Sequence, residues 1–361
     1  MNPVEVVVFA AGAAVVAAVF LSAVSTVVVP RGVPVRLTRA VFLVMRRLFE
    51  VRARMARSYE ERDRAYALYA PLTLVTLPAV WLTLVLVGYT AVFWALGPHH
   101  LREAFITSGS SLLTLGFARV HDLPSTVCAF TEAVFGLILL ALLITYLPSM
   151  YSAFSRREVE VALVATFAGS PPWAIEMLDR FHRIKGLDRM EEQVWEPWTR
   201  WFVEVGETHT SLSALPFFRS PQPDRSWVTA AGVVLDGAAL YSSTLDLPRS
   251  PSAELCIRTG YLSLRTIAGL FSIPYDPDPD PDDPISIARD EFDAAFDRLA
   301  ASGLPMRTDR DQAWRDFAGW RVNYDAVLVA LAGMIRAPYA PWSSDRSATR
   351  PHRPPLRRRH R

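Results

Sequence analysis

The chain has 361 residues, of which 51% are hydrophobic and 20% are charged. This apolar content is high for a soluble globular protein and indicates a chain with both membrane-spanning and soluble parts. The formal net charge is only +2, so composition gives no basis for a nucleic-acid partner.

The first apolar run covers residues 4–29, with one charge, Glu5, near its beginning. At 1.5 Å per residue, a helix of this length spans a hydrocarbon core of about 30 Å. A cleavable signal peptide is the alternative, but no Lys or Arg precedes the run, and the first arginine, Arg31, follows it. We therefore predict a retained N-terminal transmembrane helix over residues 1–30, with its N-terminus outside the cell.

Residues 31–70 carry ten arginines and four acidic residues. A short loop with this excess of arginine is expected on the cytoplasmic side. Its apolar residues recur at helical spacing: Leu37, Val41, Val44, Leu48 and Val51. The pattern fits an amphipathic helix along the inner headgroups, and it fits a solvated basic linker equally well.

Two further spans follow, and together they form a predicted pore module over residues 71–158. Residues 71–96 contain no charge and predict a span that runs outwards. Residues 127–151 predict a span that runs back inwards, and Glu132 lies near its outer end. A carboxylate inside a span is expected to face protein or water, not lipid. Gly136 and Pro148 are the residues of this span that most disfavour a regular helix, so we predict a hinge or gate at these residues.

Between the two predicted spans lies a short stretch that does not have the length of a span. Leu101–Leu113 predicts a helix too short to cross a bilayer, and Thr114–Ala118 follows it. The carboxyl end of a helix carries partial negative charge, which favours a cation there. Backbone carbonyls of the next residues would then serve as ligands, with Gly116 supplying conformational freedom. The candidate ion-binding residues are Thr114, Leu115, Gly116, Phe117 and Ala118.

These residues, with their place between two spans, resemble the TVGYG filter and two-helix pore module of potassium channels. The resemblance runs from about Tyr69 to Glu160. The whole chain is also similar to a bacterial group of ion-channel membrane proteins with an extra N-terminal span and a helical C-terminal region. The resemblance implies a homotetramer that conducts K⁺ or another monovalent cation through a filter of backbone carbonyls.

The chain departs from that filter at four positions. Leu115 replaces Val, and Phe117 replaces Tyr and so lacks its hydroxyl. Ala118 replaces the second Gly, which costs about 1–2 kcal/mol if the position needs a left-handed backbone. Arg119 stands where the family often has Asp, so we place Arg119 and Glu132 at the outer mouth.

The remainder reads as a cytoplasmic helical domain over residues 159–336 and a disordered basic tail over residues 337–361. Its helical segments are predicted near 159–168, 172–205, 225–243, 252–270, 286–302 and 309–335. No strand alternation and no GxGxxG motif occurs, which argues against a Rossmann-type sensing domain. Residues 276–284, DPDPDPDDP, predict an extended linker; a calcium site is the alternative, although the segment lacks the Gly and closing Glu of an EF-hand loop.

The fold class expected is an all-α membrane protein with three transmembrane helices, a re-entrant pore helix with a filter loop, and a helical cytoplasmic domain. The predicted function is passive cation conduction at the plasma membrane, with the C-terminus in the cytoplasm. The alternative is a membrane-anchored interaction or signalling protein without conduction.

Enzymatic chemistry is not expected. Glu204, Glu207 and His209 lie close in sequence but do not match HExxH. Cys128 and Cys256 form no CxxC pair and are not expected to bond to each other. The tryptophans of the C-terminal half are expected in the core or at interfaces, not in a ligand cage. No cofactor is expected beyond the permeant ion, and the partners are the lipid bilayer, further copies of the chain and an unidentified cytoplasmic regulator.

Overall fold

The computed structural model describes residues 2–27, 36–56, 59–97 and 99–347. Across these ranges the chain is built from helices, and the only pairing of extended backbone is a single bridge between Leu245 and Met306. The all-helical fold class is thereby confirmed. The last residues of the predicted N-terminal span (28–30), parts of the predicted basic loop (31–35, 57 and 58) and part of the predicted tail (348–361) lie outside the described residues.

Five helices occur among the described residues of the N-terminal half. They are α1 (Pro3–Val27), α2 (Arg36–Met55), α3 (Tyr59–Leu96), α4 (Leu101–Leu112) and α5 (Leu123–Ala168). Three of them, α1, α3 and α5, are long and apolar enough to cross a membrane. The chain is therefore a membrane-associated protein with the three candidate spans that the hydropathy pattern predicted.

The chain divides into two compact units, and the first contains residues 1–55 and 68–152. In this unit α1 and α3 approach closely through small residues. A Cβ atom added at Gly12 would lie 2.5 Å from the carbonyl oxygen of Gly88, and one added at Gly88 would lie 2.8 Å from Val16. Small residues allow two apolar helices to pack backbone against backbone, as they do in membranes.

The second unit contains residues 56–67 and 153–361. Its further helices are α6 (Ala174–Arg180), α7 (Glu196–Ser211), α8 (Trp227–Thr244), α9 (Pro251–Leu270), α10 (Arg289–Ala301), α11 (Arg310–Arg321) and α12 (Asp325–Met334). Nearly all of α8 is buried, so it is the central helix. Trp195, Trp198 and Trp227 are fully buried in the core, which confirms their predicted role.

Two predicted helices are divided in the structure. The segment predicted at 172–205 is broken at Gly186, which has a φ of 84° and is flanked by short π-turns. A positive φ is readily adopted by glycine and ends regular helix. The segment predicted at 309–335 is broken between Arg321 and Asp325, because Tyr324 leaves the helical conformation and begins α12.

Two predictions about irregular segments need correction. Residues 337–347 are not a disordered tail, since Ala340 and Trp342 are buried and the Arg321 guanidinium donates a 2.6 Å hydrogen bond to the Trp342 carbonyl. An apolar side chain as large as Trp342 gains by leaving water. The linker 276–284 is not continuously extended, because the Asp280 carboxylate accepts a 2.9 Å hydrogen bond from the Asp282 amide and closes a turn.

The start of α3 belongs to the second unit through specific side-chain contacts. Asp63 forms an ion pair with Arg219, whose guanidinium also donates a 2.7 Å hydrogen bond to the Arg336 carbonyl. The Arg336 guanidinium donates to the Tyr66 hydroxyl. The second unit therefore includes the beginning of α3 as well as the last part of α5.

A buried charged network ties α8, α11 and α12 together. The Arg321 guanidinium is fully buried and donates to Asp236 and, at 2.7 Å, to Asp325. The Tyr324 hydroxyl donates to Asp236 at 2.9 Å, and the Ser286 hydroxyl donates to Asp325 at 2.6 Å. Each buried charge in this network thus has an opposite charge and further hydrogen bonds, as buried charges require.

Candidate functional site

The short helix predicted between the second and third spans is present as α4, Leu101–Leu112. One face of α4 is buried in the first unit through Ala104, Ser108, Ser110 and Leu112. Residues 113–117, which follow it, are all exposed in the single chain. A re-entrant position of α4 in a bilayer remains a prediction.

The loop after α4 folds back onto the end of that helix through its amide groups. The Leu115 amide donates to the Ser110 carbonyl at 2.8 Å, and the Gly116 amide donates to the same oxygen at 3.5 Å. The Ala118 amide donates to the Ser110 hydroxyl at 3.1 Å. Ser110 thus accepts these hydrogen bonds through both its carbonyl oxygen and its hydroxyl. Three loop donors are thereby satisfied close to α4.

The carbonyl groups of the same loop differ from its amides in their hydrogen bonding. Within the described ranges, no donor reaches the carbonyl oxygens of residues 114–117. Buried carbonyl groups in proteins nearly always have a partner, whereas exposed ones are free to take a ligand. The loop therefore combines satisfied amides with available carbonyl oxygens.

Left-handed backbone occurs at two of the five loop residues. Thr114 has a φ of 54° and Gly116 a φ of 71°. Gly116 adopts this conformation without penalty, whereas a β-branched residue such as Thr114 is strained there. Ala118 does not have a positive φ, so the left-handed strain that was considered for Ala118 does not occur there. The residue that carries such strain in this loop is Thr114.

Glu132 lies inside the first unit and not at an exposed outer mouth. Its side chain is fully buried, and its carboxyl oxygen Oε1 is 2.5 Å from the Ser108 hydroxyl. The same hydroxyl is 3.1 Å from the Leu86 carbonyl, so Ser108 joins α4 to both α3 and α5. The second carboxyl oxygen, Oε2, is buried with no hydrogen-bond partner in the described part of the chain. The sequence predicted that Glu132 would face protein or water, and in the structure it is buried in protein. The sequence did not predict the contact between Ser108 and the Leu86 carbonyl.

Gly136 provides the contact that brings α4 and α5 together. A Cβ atom at Gly136 would lie 2.3 Å from the carbonyl oxygen of Leu112, the last residue of α4. Pro148 lies within α5, which continues as helix to Ala168. A hinge or gate at Gly136 and Pro148 stays a prediction, and the structure adds close packing as a second reason for glycine.

The residues after the loop are charged. Arg119 is exposed, and its place at an outer mouth stays a prediction. The Asp122 carboxylate accepts a 2.9 Å hydrogen bond from the Ser125 amide and so caps the beginning of α5. This backbone hydrogen bond lowers the pKa of Asp122 below its usual value. Asp122 is thus a helix cap that stays ionised at neutral pH.

The second unit holds a cleft with a volume of about 540 Å³. Three arginines line it, and each has a partner within the unit. Arg249 pairs with Glu254, Arg307 pairs with Asp316, and Arg315 bonds to Gln312. The cationic groups of the cleft are therefore already satisfied by neighbouring residues.

Glu204 and His209, two of the three residues considered for enzymatic chemistry, have partners within the second unit. Glu204 pairs with Arg156. The Arg157 guanidinium lies 3.2 Å from the His209 imidazole nitrogen Nε2 and donates to the Leu215 carbonyl at 3.0 Å. Burial, with the positive charge of Arg157 second, lowers the pKa of His209 well below its usual value. His209 is thus a neutral core residue that accepts a hydrogen bond.

Both cysteines, Cys128 and Cys256, are free thiols.

The chain was compared with protein-family models, curated proteins and solved structures, and none of the three comparisons found a match.

Proposed function

We propose that the chain is the pore-forming subunit of a homotetrameric cation channel, with K⁺ as the expected permeant ion. One observation supports this proposal most: the loop at 114–118 turns its amides onto α4 and leaves the carbonyl oxygens of 114–117 without donors among the described residues. Several such loops around one axis would form rings of oxygen ligands that replace the hydration shell of an ion.

The electrostatics of α4 favour a cation over an anion. The partial negative charge at the carboxyl end of α4 lies directly before Thr114. The potassium-channel filter, which Thr114-Leu115-Gly116-Phe117 resembles, also binds a cation. Arg119 is a cation that follows the loop, so ions would have to pass it at the proposed outer mouth.

The second unit supports a topology in which α3 and α5 cross in opposite directions. Residues 56–67, before the apolar part of α3, fold together with residues 153–361, after the apolar part of α5. Two segments of one folded unit lie on the same side of a membrane. An outward and a return crossing between them is the arrangement that a pore loop requires.

The test is K⁺ efflux from liposomes that contain the purified full-length chain. Gly116→Ala is the informative variant, because no atom lies within 4 Å of the added methyl group but the φ of 71° is unfavourable for alanine. A strain of about 1–2 kcal/mol is expected to lower the population of the conducting loop, and hence K⁺ efflux, roughly 5- to 30-fold. Gly269→Ala is the matched control, since it too has open space and lies in α9.

The channel proposal predicts efflux for the wild type and the Gly269→Ala variant and a large loss for Gly116→Ala. Absence of efflux from well-folded wild-type protein would contradict conduction and would favour the membrane-anchored interaction protein. Equal efflux for all three proteins would show that ions do not pass the loop.

A further inference from the structure

Helix α2 has three distinct faces. Its first face is buried in the first unit, through Thr38, Val41, Phe49 and Ala53. The second is an exposed apolar stripe, in which Val44, Leu48, Val51 and Met55 are 57%, 59%, 57% and 78% exposed. The third is exposed and cationic, through Arg39, Arg46, Arg47 and Arg54. An apolar stripe beside a basic face is typical of helices that lie at a membrane surface.

The contacts of α2 place it beside the ends of two candidate spans. The Thr38 hydroxyl lies 2.8 Å from the Thr26 hydroxyl, one residue before the end of α1. The Tyr69 hydroxyl donates a 3.2 Å hydrogen bond to the Phe42 carbonyl, just before the uncharged part of α3 begins. The ends of a span coincide with the boundary between hydrocarbon and headgroups, so α2 lies at that depth.

Charge decides which surface covers the exposed stripe. The helix contains six arginines and one acidic residue, Glu50, which pairs with Arg46 at 3.1 Å. A second copy of α2 would bring like charges together, whereas anionic phosphate headgroups complement them. We propose that α2 is an interfacial helix that binds anionic phospholipid, with the apolar stripe among the acyl chains and the arginines at the phosphates.

The depth of the two exposed faces tests the proposal. Spin labels are attached to Leu48→Cys on the apolar stripe and to Arg47→Cys on the cationic face, in full-length protein with Cys128→Ser. Cys256 stays unlabelled, because it is fully buried and burial raises the pKa of its thiol to about 12. The labelled proteins are reconstituted in vesicles of phosphatidylglycerol and phosphatidylcholine.

We expect the label at position 48 to collide mainly with oxygen, which partitions into lipid, and the label at 47 mainly with a water-soluble nickel chelate. Equal access of the nickel chelate to both labels would show a solvated linker. Shielding of both labels, with spin–spin coupling between chains, would show a second copy on this face. Either result would overturn the proposal.

The charge requirement is tested by titrating phosphatidylglycerol into the detergent-solubilised protein and following bound lipid by native mass spectrometry. The double variant Arg47→Gln/Arg54→Gln is expected to bind this lipid roughly 30-fold more weakly, at about a tenfold loss per 1.4 kcal/mol. The control is Arg189→Gln/Arg258→Gln, which removes two exposed arginines of the second unit. Equal affinity of the two double variants would overturn the role of the cationic face. Neither assay depends on ion conduction.

Discussion

Arg321 is the residue on which the buried charges of the second unit depend. Replacing it with Met would leave the carboxylates of Asp236 and Asp325 without their positive partner. Removing one member of a buried ion pair typically costs about 3–5 kcal/mol, so Arg321→Met is expected to lower the free energy of unfolding by that amount. Chemical unfolding of the full-length protein in detergent, followed by tryptophan fluorescence, measures the loss.

The matched control for this change is Tyr324→Phe. It removes the hydroxyl that donates to Asp236 but keeps the ion pair, so we expect a loss of only about 1 kcal/mol. Similar losses for the two variants would show that the charge of Arg321 does not stabilise the core.

His209 makes the stability of the second unit depend on pH. Burial, with the charge of Arg157 second, holds the pKa of this imidazole well below its usual value in the folded protein. The unfolded chain has a histidine of ordinary pKa, so below about pH 6.5 the unfolded state binds the extra proton. The free energy of unfolding therefore decreases as the pH is lowered below about 6.5, and it is restored as the pH is raised again to that value.

The expected size of this effect is about 1.4 kcal/mol between pH 7.5 and pH 5.5. Urea unfolding at the two pH values measures it, and His209→Gln is expected to remove most of the difference. His182→Gln is the control, since His182 is only half-buried. A wild-type free energy of unfolding that is the same at both pH values would contradict the prediction.

Some residue-scale features follow from the sequence and others do not. The burial of the tryptophans could be predicted, because a large aromatic side chain gains most by leaving water for the core. The strain at Thr114 could not be predicted, because it arises from the hydrogen bonds that draw the Leu115 and Gly116 amides to Ser110. Local sequence indicates which backbone conformations are easy, whereas tertiary contacts decide which one occurs.

At the scale of helices, the contact between α4 and α5 depends on the absence of a side chain. Gly136→Ala would place a methyl carbon 2.3 Å from the Leu112 carbonyl oxygen if nothing moved. Overpacking of this kind costs about 1–3 kcal/mol, so we expect a lower melting temperature and displacement of the loop after α4. Scanning fluorimetry of the detergent-solubilised protein measures the first effect.

Gly109→Ala is the control for this substitution. A Cβ at Gly109, within α4, would meet only a Leu86 methyl carbon at an ordinary 3.8 Å. Alanine also favours helix over glycine, so this variant is expected to be as stable as the wild type or more stable. Equal melting temperatures for the two alanine variants would mean that α5 accommodates the methyl group by a small shift.

The helices themselves were largely predictable, and their ends were not. Hydropathy and length predicted the three candidate spans, and α4 ends one residue from its predicted boundary. Apolar periodicity did not locate the breaks at Gly186 and Tyr324, because it continues across them. It also missed the burial of Trp342, which lies in a proline-rich polar segment and is held by contacts distant in sequence.

At the scale of the whole molecule, the proposed pore requires several chains. One chain supplies a single loop at 114–118, so a ring of carbonyl oxygens needs further copies. We expect the protein component of the detergent complex to have about four times the mass of one 40.3 kDa chain. Light scattering with correction for bound detergent measures this mass. A monomer at all protein concentrations that still conducts K⁺ would contradict the assembly.

The second unit also imposes an order on biosynthesis. Its first segment, residues 56–67, precedes the apolar parts of α3 and α5 in the chain, whereas its remaining partners begin at residue 153. The Asp63–Arg219 ion pair and the Tyr66–Arg336 hydrogen bond can form only after α3 and α5 have been translated. Completion of this unit thus follows translation of both apolar helices, and a fragment that starts at 159 would lack part of its own fold.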